Sequence, residues 1–324
     1  MTSEQLRPPS PDQLEISLFG PGYGEAIALH IGLGQWILID SCVEPASGRP
    51  ASLKYLQQLG FDASQSVKLI VATHWHDDHI AGLSSLFQEC TASSLAIPAV
   101  LDTNQLLELI TAYSEYPLPR GSGVSEFINI FSILNERKKG AGRFNPPIFA
   151  KADQVLFNQP VPVPEGQLQR KMYSLSPSDS CILESNMAHF IPREGEQRIR
   201  VTAPTPNHAS VALWLEVGIH KVLLGADLET STDTTRGWTV ILNGSRVISW
   251  IASVFKVPHH GAESAHDQRV WSEVLSPDPI AILSPWVLAG SVLPNEQDVN
   301  RLAAQTKRVF ITSLETSRST RRAA

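Results

Sequence analysis

The chain has 324 residues, of which 42% are hydrophobic and 18% are charged, and its net charge at pH 7 is −6. This composition excludes a fibrous or intrinsically disordered protein, and the negative charge argues against binding nucleic acid through a general positive field. The cysteines, Cys42, Cys90 and Cys181, are three in number and far apart, so we expect a reducing compartment and neither a disulfide framework nor a thiolate-zinc site.

The N-terminal residues predict neither export nor a membrane partner. The segment MTSEQLRPPSPDQ lacks the basic start and apolar stretch of a signal peptide. The sequence also contains no run of about 18 apolar residues. We therefore expect a cytoplasmic protein.

Strands and short helices alternate in the first hundred residues. Residues 14–20 and 24–42 read as strands interrupted by glycine turns, and residues 66–74 as a buried strand rich in Val and Ile. Amphipathic helices are predicted at 52–60 and at 80–89. This order is typical of an α/β protein.

The sequence pattern changes between about residues 100 and 200. Residues 104–116 and 124–139 have helical patterns, whereas 140–151 and 158–167 are rich in Gly and Pro. We interpret this region as a helical insertion over one face of a single domain that spans residues 1–324.

The second half repeats the alternation of strands and helices. The predicted strands are 209–218, 220–228, 247–256, 279–286 and 307–313, and a helix is predicted at 295–306. Together the two halves indicate a layered α/β architecture in which helices cover packed sheets.

The motif THWHDDH, residues 73–79, is the strongest functional signal. His74 and His76 are two positions apart, so they point the same way in an extended chain. Asp78 and His79 follow where the chain turns into a helix and would face the same pocket from another side. Two clusters from one short turn suit two metal ions, and imidazole with carboxylate ligands suits Zn²⁺, with Mn²⁺ or Fe as alternatives.

Further ligands follow apolar strands in the second half. Asp227 ends the segment LLGAD, and His259 with His260 ends the segment VFKVPHH. A lone Asp after a strand is usually a turn or a helix cap. In the company of the histidine motif, these residues become candidates to complete a two-metal site.

These segments resemble the metallo-β-lactamase superfamily, whose members share an αββα sandwich with a dinuclear metal site at one edge. Within it, the second half resembles the soluble hydrolase domain of ComEC competence proteins, through its N-x-x-S, G-A-D and K-V-P-H-H-G elements. The resemblance implies that His74, His76, Asp78 and His79 are metal ligands.

The resemblance also implies roles for residues outside the motif. Asp227 would bridge the two ions and His260 would complete the second site, with His259 as its support or as the alternative ligand. Asp40 would orient a ligating histidine. His208 departs from the ComEC-like pattern, and its two readings, ligand or pocket lining, stay open.

A two-metal site predicts hydrolysis by a metal-activated water, with Asp78 or Asp227 orienting the water. The ComEC-like resemblance implies a phosphodiesterase or nuclease whose partner is DNA or another nucleic acid. Candidate phosphate contacts are the basic residues Lys138, Lys139, Arg143 and Lys256. A solvated helix end is the slightly preferred explanation of the first three, and an outward-facing solvated side chain explains Lys256 equally well.

Three other functions fit parts of the pattern. One is a hydrolase for a thioester or lactam, although the G-H-T-P-G-S element of thioesterases and the bridging cysteine of many lactamases are missing. Another is a redox di-iron protein, although residue 76 is His where that group carries a carboxylate. The third is a partner-gated effector of a bacterial defence system, with the insertion as the docking surface for a protein partner.

Overall fold

The computed structural model describes residues 6–20, 24–101, 123–140, 144–163, 166–188, 206–248, 251–288 and 290–312. Two β-sheets pack face to face in this part of the chain, and helices cover both outer faces. This arrangement confirms the expected αββα sandwich.

The first sheet is built mainly from the N-terminal half, in the order β1-β2-β3-β4-β5-β6. Its first three strands are antiparallel and the next three pair in parallel. Its strands are β1 Leu14–Phe19, β2 Ala26–Ile31, β3 Trp36–Ile39, β4 Val67–Val71, β5 Ser94–Pro98 and β6 Ile148–Ala150.

The second sheet has the order β17-β14-β13-β12-β11-β10-β7. Parallel pairing joins β12, β13, β14 and β17, and antiparallel pairing joins the rest. Its strands are β7 Gln154–Asn158, β10 Arg170–Ser174, β11 Leu213–Val217, β12 His220–Leu224, β13 Ala252–Lys256, β14 Leu275–Leu283 and β17 Val309–Ile311. Two hairpins lie outside the sheets: β8 Val161–Val163 with β9 Gly166–Leu168, and β15 Trp286–Leu288 with β16 Ser291–Leu293.

The α-helices of the described residues are mostly short. They are α1 Ala51–Gln58, α2 Ala63–Ser66, α3 Asp77–Ile80, α4 Leu83–Glu89, α5 Gly123–Lys139, α6 Asp179–Ala188, α7 Gly237–Gly244 and α8 Glu296–Gln305. None is long and apolar enough to cross a membrane.

Strand β3 shows how the layers form. Its side chains alternate, so that Ile37 and Ile39 pack between the two sheets, whereas Trp36 and Leu38 pack against the helices outside. Because both faces are buried, the strand is apolar at every position. A third apolar cluster, which includes Trp214 of β11, lies on the outer face of the second sheet.

The helix expected at 80–89 is divided in two. Gly82 adopts a left-handed conformation with φ of 81°, which ends α3 and lets α4 begin at Leu83. The short α3 therefore carries Asp78 and His79 independently of α4. Glu126 of α5 accepts hydrogen bonds from the Gly82 and Ser84 amides and so satisfies the start of α4.

The region from 100 to 200 contributes to the sandwich as well as covering it. Helix α5 packs on the outer face of the first sheet through Phe127, Ile130 and Leu134. The region also supplies β6 to the first sheet, and β7 and β10 to the second. The Gly- and Pro-rich stretches expected as loops thus hold short strands, and the helix expected at 104–116 lies outside the described residues.

The carboxyl ends of several strands meet at one edge of the sandwich. Strands β3 and β4 run parallel in the first sheet, and β12, β13 and β14 run parallel in the second. Polar residues follow these ends at Asp40, His74, Asp227, His260 and Ser284. The fold therefore brings together, at one edge, segments that are far apart in the sequence.

Candidate metal centre

The histidine motif occupies the segment between β4 and α4. His74 lies in the extended chain after β4, and Asp78 and His79 lie in α3. All three side chains are buried, and His74 and His79 are 0% exposed. A buried imidazole needs partners for both ring nitrogens, so the contacts of these rings are informative.

Asp40, immediately after β3, organises two of the histidines. Its carboxylate accepts hydrogen bonds from the Thr73 amide and hydroxyl, both at 2.7 Å, and from His79 Nδ1 at 2.8 Å. Because the Thr73 hydroxyl donates to Asp40, it accepts from His74 Nδ1, at 2.9 Å. Both rings are thereby oriented with Nδ1 toward these partners and Nε2 facing away from Asp40, as in metal-binding histidines. Asp40 thus lies beside two histidines of the motif.

Asp227 and His260 approach the motif from the second sheet. Oδ1 of Asp227 lies 3.3 Å from His79 Nε2, and its Oδ2 lies 3.7 Å from His74 Nε2. His260 Nε2 is 3.5 Å from Asp78 Oδ2 and 3.9 Å from Asp227 Oδ2. The Asp227 carboxylate thus lies between the histidines of the motif and His260.

Backbone conformation at this edge is unusual. Asp40, Ala226, His259 and His260 all have φ between 46° and 57°, the left-handed region that residues with a Cβ atom rarely adopt. Each such residue costs on the order of 1–3 kcal/mol, and such strain concentrates at functional sites. The four strained residues therefore mark this edge as a candidate functional site.

The donor atoms at the centre of the cluster fit a metal. Nε2 of His74, His79 and His260 and Oδ1 of Asp227 are buried and have no hydrogen-bond partner. His260 Nδ1 faces the Ser284 carbonyl at 3.2 Å, so its Nε2 also presents a lone pair. Four buried acceptors that converge repel one another unless a cation lies between them, because an unsatisfied buried polar group is costly.

The electrostatics of the cluster favour a cation for the same reason. Burial acts to lower the pKa of His79, but the Asp227 and Asp78 carboxylates outweigh it and hold that pKa well above its usual value. Burial acts to raise the pKa of Asp227, but His79 and His260 outweigh it and hold that pKa well below its usual value. The site therefore attracts positive charge at its centre.

Three groups of side chains in the described residues have ligand atoms within 4.8 Å of one another. The groups are Asp40 with His74 and His79, His74 with His76 and Asp227, and Asp78 with His79 and His260. Because Asp40 already accepts three hydrogen bonds, the second and third groups are the better metal positions. Asp227 contacts members of both. The structure thus brings together six of the residues that the sequence indicated as ligands, and it provides groups that could hold a divalent metal.

His259 has a different environment from His260. Its Nδ1 lies 3.0 Å from Glu229 Oε1, and the same carboxylate oxygen accepts from Asn207 and Ser264. His259 is about one-fifth exposed and belongs to none of the three ligand groups of the described residues. The structure therefore favours His260 as the ligand and places His259 beside the site.

His208 is not in the ligand cluster that the described residues form. It lies in the turn Pro206–Ala209, where its carbonyl oxygen accepts from the Cys181 thiol at 3.6 Å. Burial is the main cause that lowers its pKa, and Glu229 opposes the shift. In this turn it is the Asn207 side chain, and not His208, that lies near His259. The sequence spacing between His208 and Asp227 did not reveal this orientation.

The basic residues suggested as phosphate contacts are dispersed. Lys256 is 0% exposed and paired with the buried Glu25, so it is neither solvated nor free to bind a phosphate. Lys138 and Lys139 are exposed at the end of α5. Helix α5 begins beside the motif, where the Gly123 amide donates to Asp77, so its 17 residues place the two lysines about 24 Å from that point. Arg143 lies outside the described residues.

Sequence reasoning missed Glu25, Glu229 and Ser284. Glu25 precedes the apolar strand AIALHI, and a charged residue at the start of a buried strand was the available signal. Ser284 follows β14 in the same way that Asp227 follows β12. Glu25 and Ser284 hydrogen-bond each other although they lie 259 positions apart in the sequence, a contact that local sequence patterns do not reveal.

Comparison with known proteins agrees with the fold. Residues 20–157 match the model of the Metallo-beta-lactamase superfamily. A comparison with curated protein sequences finds no match. The match ends before Asp227 and His260, so the second half of the site is identified by the structure and not by the family model.

Several solved structures are similar to this chain at low sequence identity. The metallo-beta-lactamase fold protein YhfI from Bacillus subtilis is 11% identical, with a TM-score of 0.42 over 93% of this chain and 96% of that one. A metallo-beta-lactamase HARLDQ-motif mutant from Cronobacter sakazakii is 12% identical, with a TM-score of 0.37 over 74% and 75%. Zn(2+)-bound PqqB from Methylobacterium extorquens is 13% identical, with a TM-score of 0.34 over 72% and 56%. Residues 20–157 of this chain are thus similar to the metallo-β-lactamase superfamily.

Proposed function

We propose that this protein is a dinuclear metal-dependent hydrolase that cleaves phosphodiester bonds in DNA or another nucleic acid. The observation that carries the proposal is the convergence of four buried acceptor atoms, three imidazole nitrogens and one carboxylate oxygen, without a hydrogen-bond partner. Two divalent ions at such a site, Zn²⁺ as first choice, would supply a water of lowered pKa and neutralise charge on the scissile group.

The ligand groups define the two proposed metal positions. His74, His76 and Asp227 form one, and Asp78, His79 and His260 form the other. Asp227 lies between them, since its two oxygens face His79 and His74 respectively. Asp78 and Asp227 are the carboxylates placed to orient a water between the two positions.

The polar groups beside the metal positions favour an anionic substrate. Burial acts to lower the pKa of His259, but the hydrogen bond to Glu229 and the charge of Asp227 outweigh it and raise that pKa. His259 and Ser264 are partly exposed and are held by the Glu229 carboxylate. Two divalent ions would provide a local positive region in a chain whose net charge is −6, and the partly exposed His259 and Ser264 lie beside it.

The nucleic-acid part of the proposal is supported by the ComEC-like elements and by the exposed lysines at the C-terminal end of α5. The segments GAD and KVPHHG contribute Asp227 and His260, the two ligands from the second sheet. Lys138 and Lys139 would contact only a substrate long enough to extend about 24 Å from the start of α5. A small phosphodiester should therefore be cleaved independently of these lysines.

The test combines metal content with cleavage. Purified protein would be assayed by elemental analysis, and with Zn²⁺ or Mn²⁺ on single-stranded DNA, duplex DNA, RNA, cyclic dinucleotides and bis(p-nitrophenyl) phosphate. The variants are the double substitution Asp78→Ala/His79→Ala and, as a matched control outside the ligand groups, His208→Ala. We expect about two metals per chain and cleavage in the wild type and control, and the loss of both in the double variant.

Other outcomes would separate the parts of the proposal. Two metals without cleavage of any phosphodiester would refute the substrate assignment, and hydrolysis of a thioester or lactam in the same assay would replace it. Cleavage only after addition of a co-purifying protein would indicate a partner-gated enzyme. A wild-type chain without metal would refute the metal centre itself.

A further inference from the structure

A buried ion pair lies directly behind the metal positions. Lys256, the last residue of β13, is 0% exposed, and Glu25, just before β2, is 2% exposed. The Lys256 ammonium group contacts Glu25 Oε1, donates to the Ala226 carbonyl at 2.9 Å, and lies 4.0 Å from Asp227 Oδ1. The pair thus joins the two sheets at the edge where the ligands meet.

Stability alone is a weak explanation for this pair. Lys and Glu are almost never fully buried unless they are paired. The desolvation of two charges offsets most of their attraction, and apolar residues of similar volume are often at least as stabilising. The contacts of the pair with the ligand loops provide a more specific explanation.

Glu25 contacts two further ligand-bearing segments. Its other carboxylate oxygen accepts a hydrogen bond from the Ser284 hydroxyl, and the Ser284 carbonyl lies 3.2 Å from His260 Nδ1. The Glu25 amide donates to the Asp78 carbonyl at 2.7 Å. One residue therefore contacts the loop of Asp78 directly and the ring of His260 through Ser284.

Lys256 holds the third segment. Ala226 has φ of 46°, a strained conformation that turns the chain so that Asp227 faces the histidines. The hydrogen bond from Lys256 to the Ala226 carbonyl fixes this turn. The ammonium group also lies 4.0 Å from Asp227 Oδ1, the oxygen that faces His79. Its charge attracts the carboxylate without a hydrogen bond to that oxygen.

We infer that Glu25 and Lys256 are positioning residues of the metal centre, whose side chains set the geometry of Asp227 and His260 without binding metal themselves. The inference rests on the metal centre of the proposed function and is independent of the substrate. Removal of the pair should weaken metal binding even in a chain that remains folded, by the 10- to 100-fold typical of residues that orient metal ligands.

The experiment uses the full chain and four variants. Glu25→Gln/Lys256→Met removes both charges while nearly preserving volume, and Ser284→Ala removes only the hydroxyl that links Glu25 to His260. Lys256→Met alone leaves Glu25 unpaired. Arg170→Met is the matched control, because Arg170 is a buried cation whose guanidinium donates to the Gln159 and Ile31 carbonyls, away from the ligands.

Zn²⁺ affinity would be measured by competition with a chromophoric chelator, the Co²⁺ derivative by its visible absorption, and folding by thermal melting. We expect a 10- to 100-fold loss of Zn²⁺ affinity and an altered Co²⁺ spectrum in the charge-free double variant, and a smaller loss in the same direction in Ser284→Ala. Arg170→Met should melt at a lower temperature but keep the affinity and spectrum of the wild type.

The possible failures are distinguishable. A folded double variant with wild-type affinity and spectrum would show that the pair is structural only, and would overturn the inference while leaving the metal centre intact. If the double variant does not fold, the Ser284→Ala variant provides the test. Wild-type Zn²⁺ affinity and a wild-type Co²⁺ spectrum in that variant would also overturn the inference. A wild-type chain that binds neither Zn²⁺ nor Co²⁺ would instead defeat the metal centre.

Discussion

Nε2 of His79 and Oδ1 of Asp227 face each other across 3.3 Å, and neither atom has a hydrogen bond. Asp40 accepts the hydrogen of His79 Nδ1, so the ring turns Nε2 toward the Asp227 carboxylate. Two acceptors in this arrangement require a positive charge between or beside them. This single contact joins the motif of the first sheet to the second sheet.

Asp227→Asn should abolish binding of both metals, because the carboxylate lies between the two ligand groups. At a Zn²⁺ concentration of 100 times Kd, the wild type should gain about 2.7 kcal/mol of unfolding free energy per site. The variant should gain almost nothing. Thermal melting with and without Zn²⁺ measures this difference, and a Zn²⁺-dependent rise in the melting temperature of the variant equal to that of the wild type would contradict the assignment.

Asp40→Asn should weaken metal binding without removing a ligand. The amide can still accept from Thr73, but it no longer holds His79 by a charge-assisted hydrogen bond. We expect a loss of metal affinity of about 10- to 100-fold, measured by chelator competition. At saturating Zn²⁺ the Asp40→Asn variant should still bind as much metal as the wild type. A lower metal content of the variant under this condition would mean that Asp40 is itself a ligand.

Gly123→Ala, at the start of α5, should displace the backbone of the histidine motif at Trp75. A Cβ atom at Gly123 would lie 2.2 Å from the Trp75 carbonyl oxygen, whereas one at Gly140 would lie no closer than 3.5 Å to its nearest neighbour. We expect Gly123→Ala to cost about 1–3 kcal/mol of unfolding free energy, as overpacked sites do, and Gly140→Ala to be nearly neutral. Urea unfolding of both variants measures this, and equal effects would contradict the close contact.

The cysteine thiols should be inert in the native protein. All three are free and buried, and burial raises the pKa of Cys42 and of Cys90 to about 12. Burial also raises the pKa of Cys181. Since the thiolate is the reactive form, Ellman's reagent at pH 8 should label none of them rapidly. It should label three after denaturation, and rapid labelling of a native thiol would contradict this environment.

Substitution of Lys138 and Lys139 by Glu should have an effect that depends on substrate length. These lysines lie about 24 Å from the start of α5, a distance that corresponds to about 7 base pairs of duplex at 3.4 Å each. The kcat/KM for bis(p-nitrophenyl) phosphate should not change, whereas binding of longer nucleic acid should weaken and depend less on salt. An equal effect on the small substrate would place the lysines at the active site.

The sequence predicted the part of the site that is contiguous. His74, His76, Asp78 and His79 lie within six positions, so their spacing alone indicated a metal, and strand periodicity located Asp227 and His260 at strand ends. The alternation of strands and helices indicated a layered α/β protein, and the resemblance to the metallo-β-lactamase superfamily implied the αββα order of the layers. Helix α8 was recognisable because Asn295 and Asp298 form a capping box.

The remainder depends on contacts between distant segments. The sequence suggested Lys256 as a phosphate contact or as a solvated side chain, but the fold pairs it with Glu25 from the opposite sheet. His208 had a suitable distance in sequence from Asp227, yet the turn that carries it faces Cys181 and the start of α7. Strands β7 and β10 were missed because Gly and Pro neighbours obscured their short apolar runs. Register and orientation across sheets are set by packing, which local pattern does not encode.

The strands that end at the metal positions come from both sheets, and this has a consequence for how the protein assembles. Asp40 and the histidine motif follow strands of the first sheet, whereas Asp227 and His260 follow strands of the second. Neither half alone can provide a complete ligand set. A bound metal would therefore link the two halves, and its affinity would depend on whether the two sheets are packed together. Apoprotein should open first along the inter-sheet apolar layer at this edge, and hydrogen exchange in β4 and β12 should slow together when metal is added.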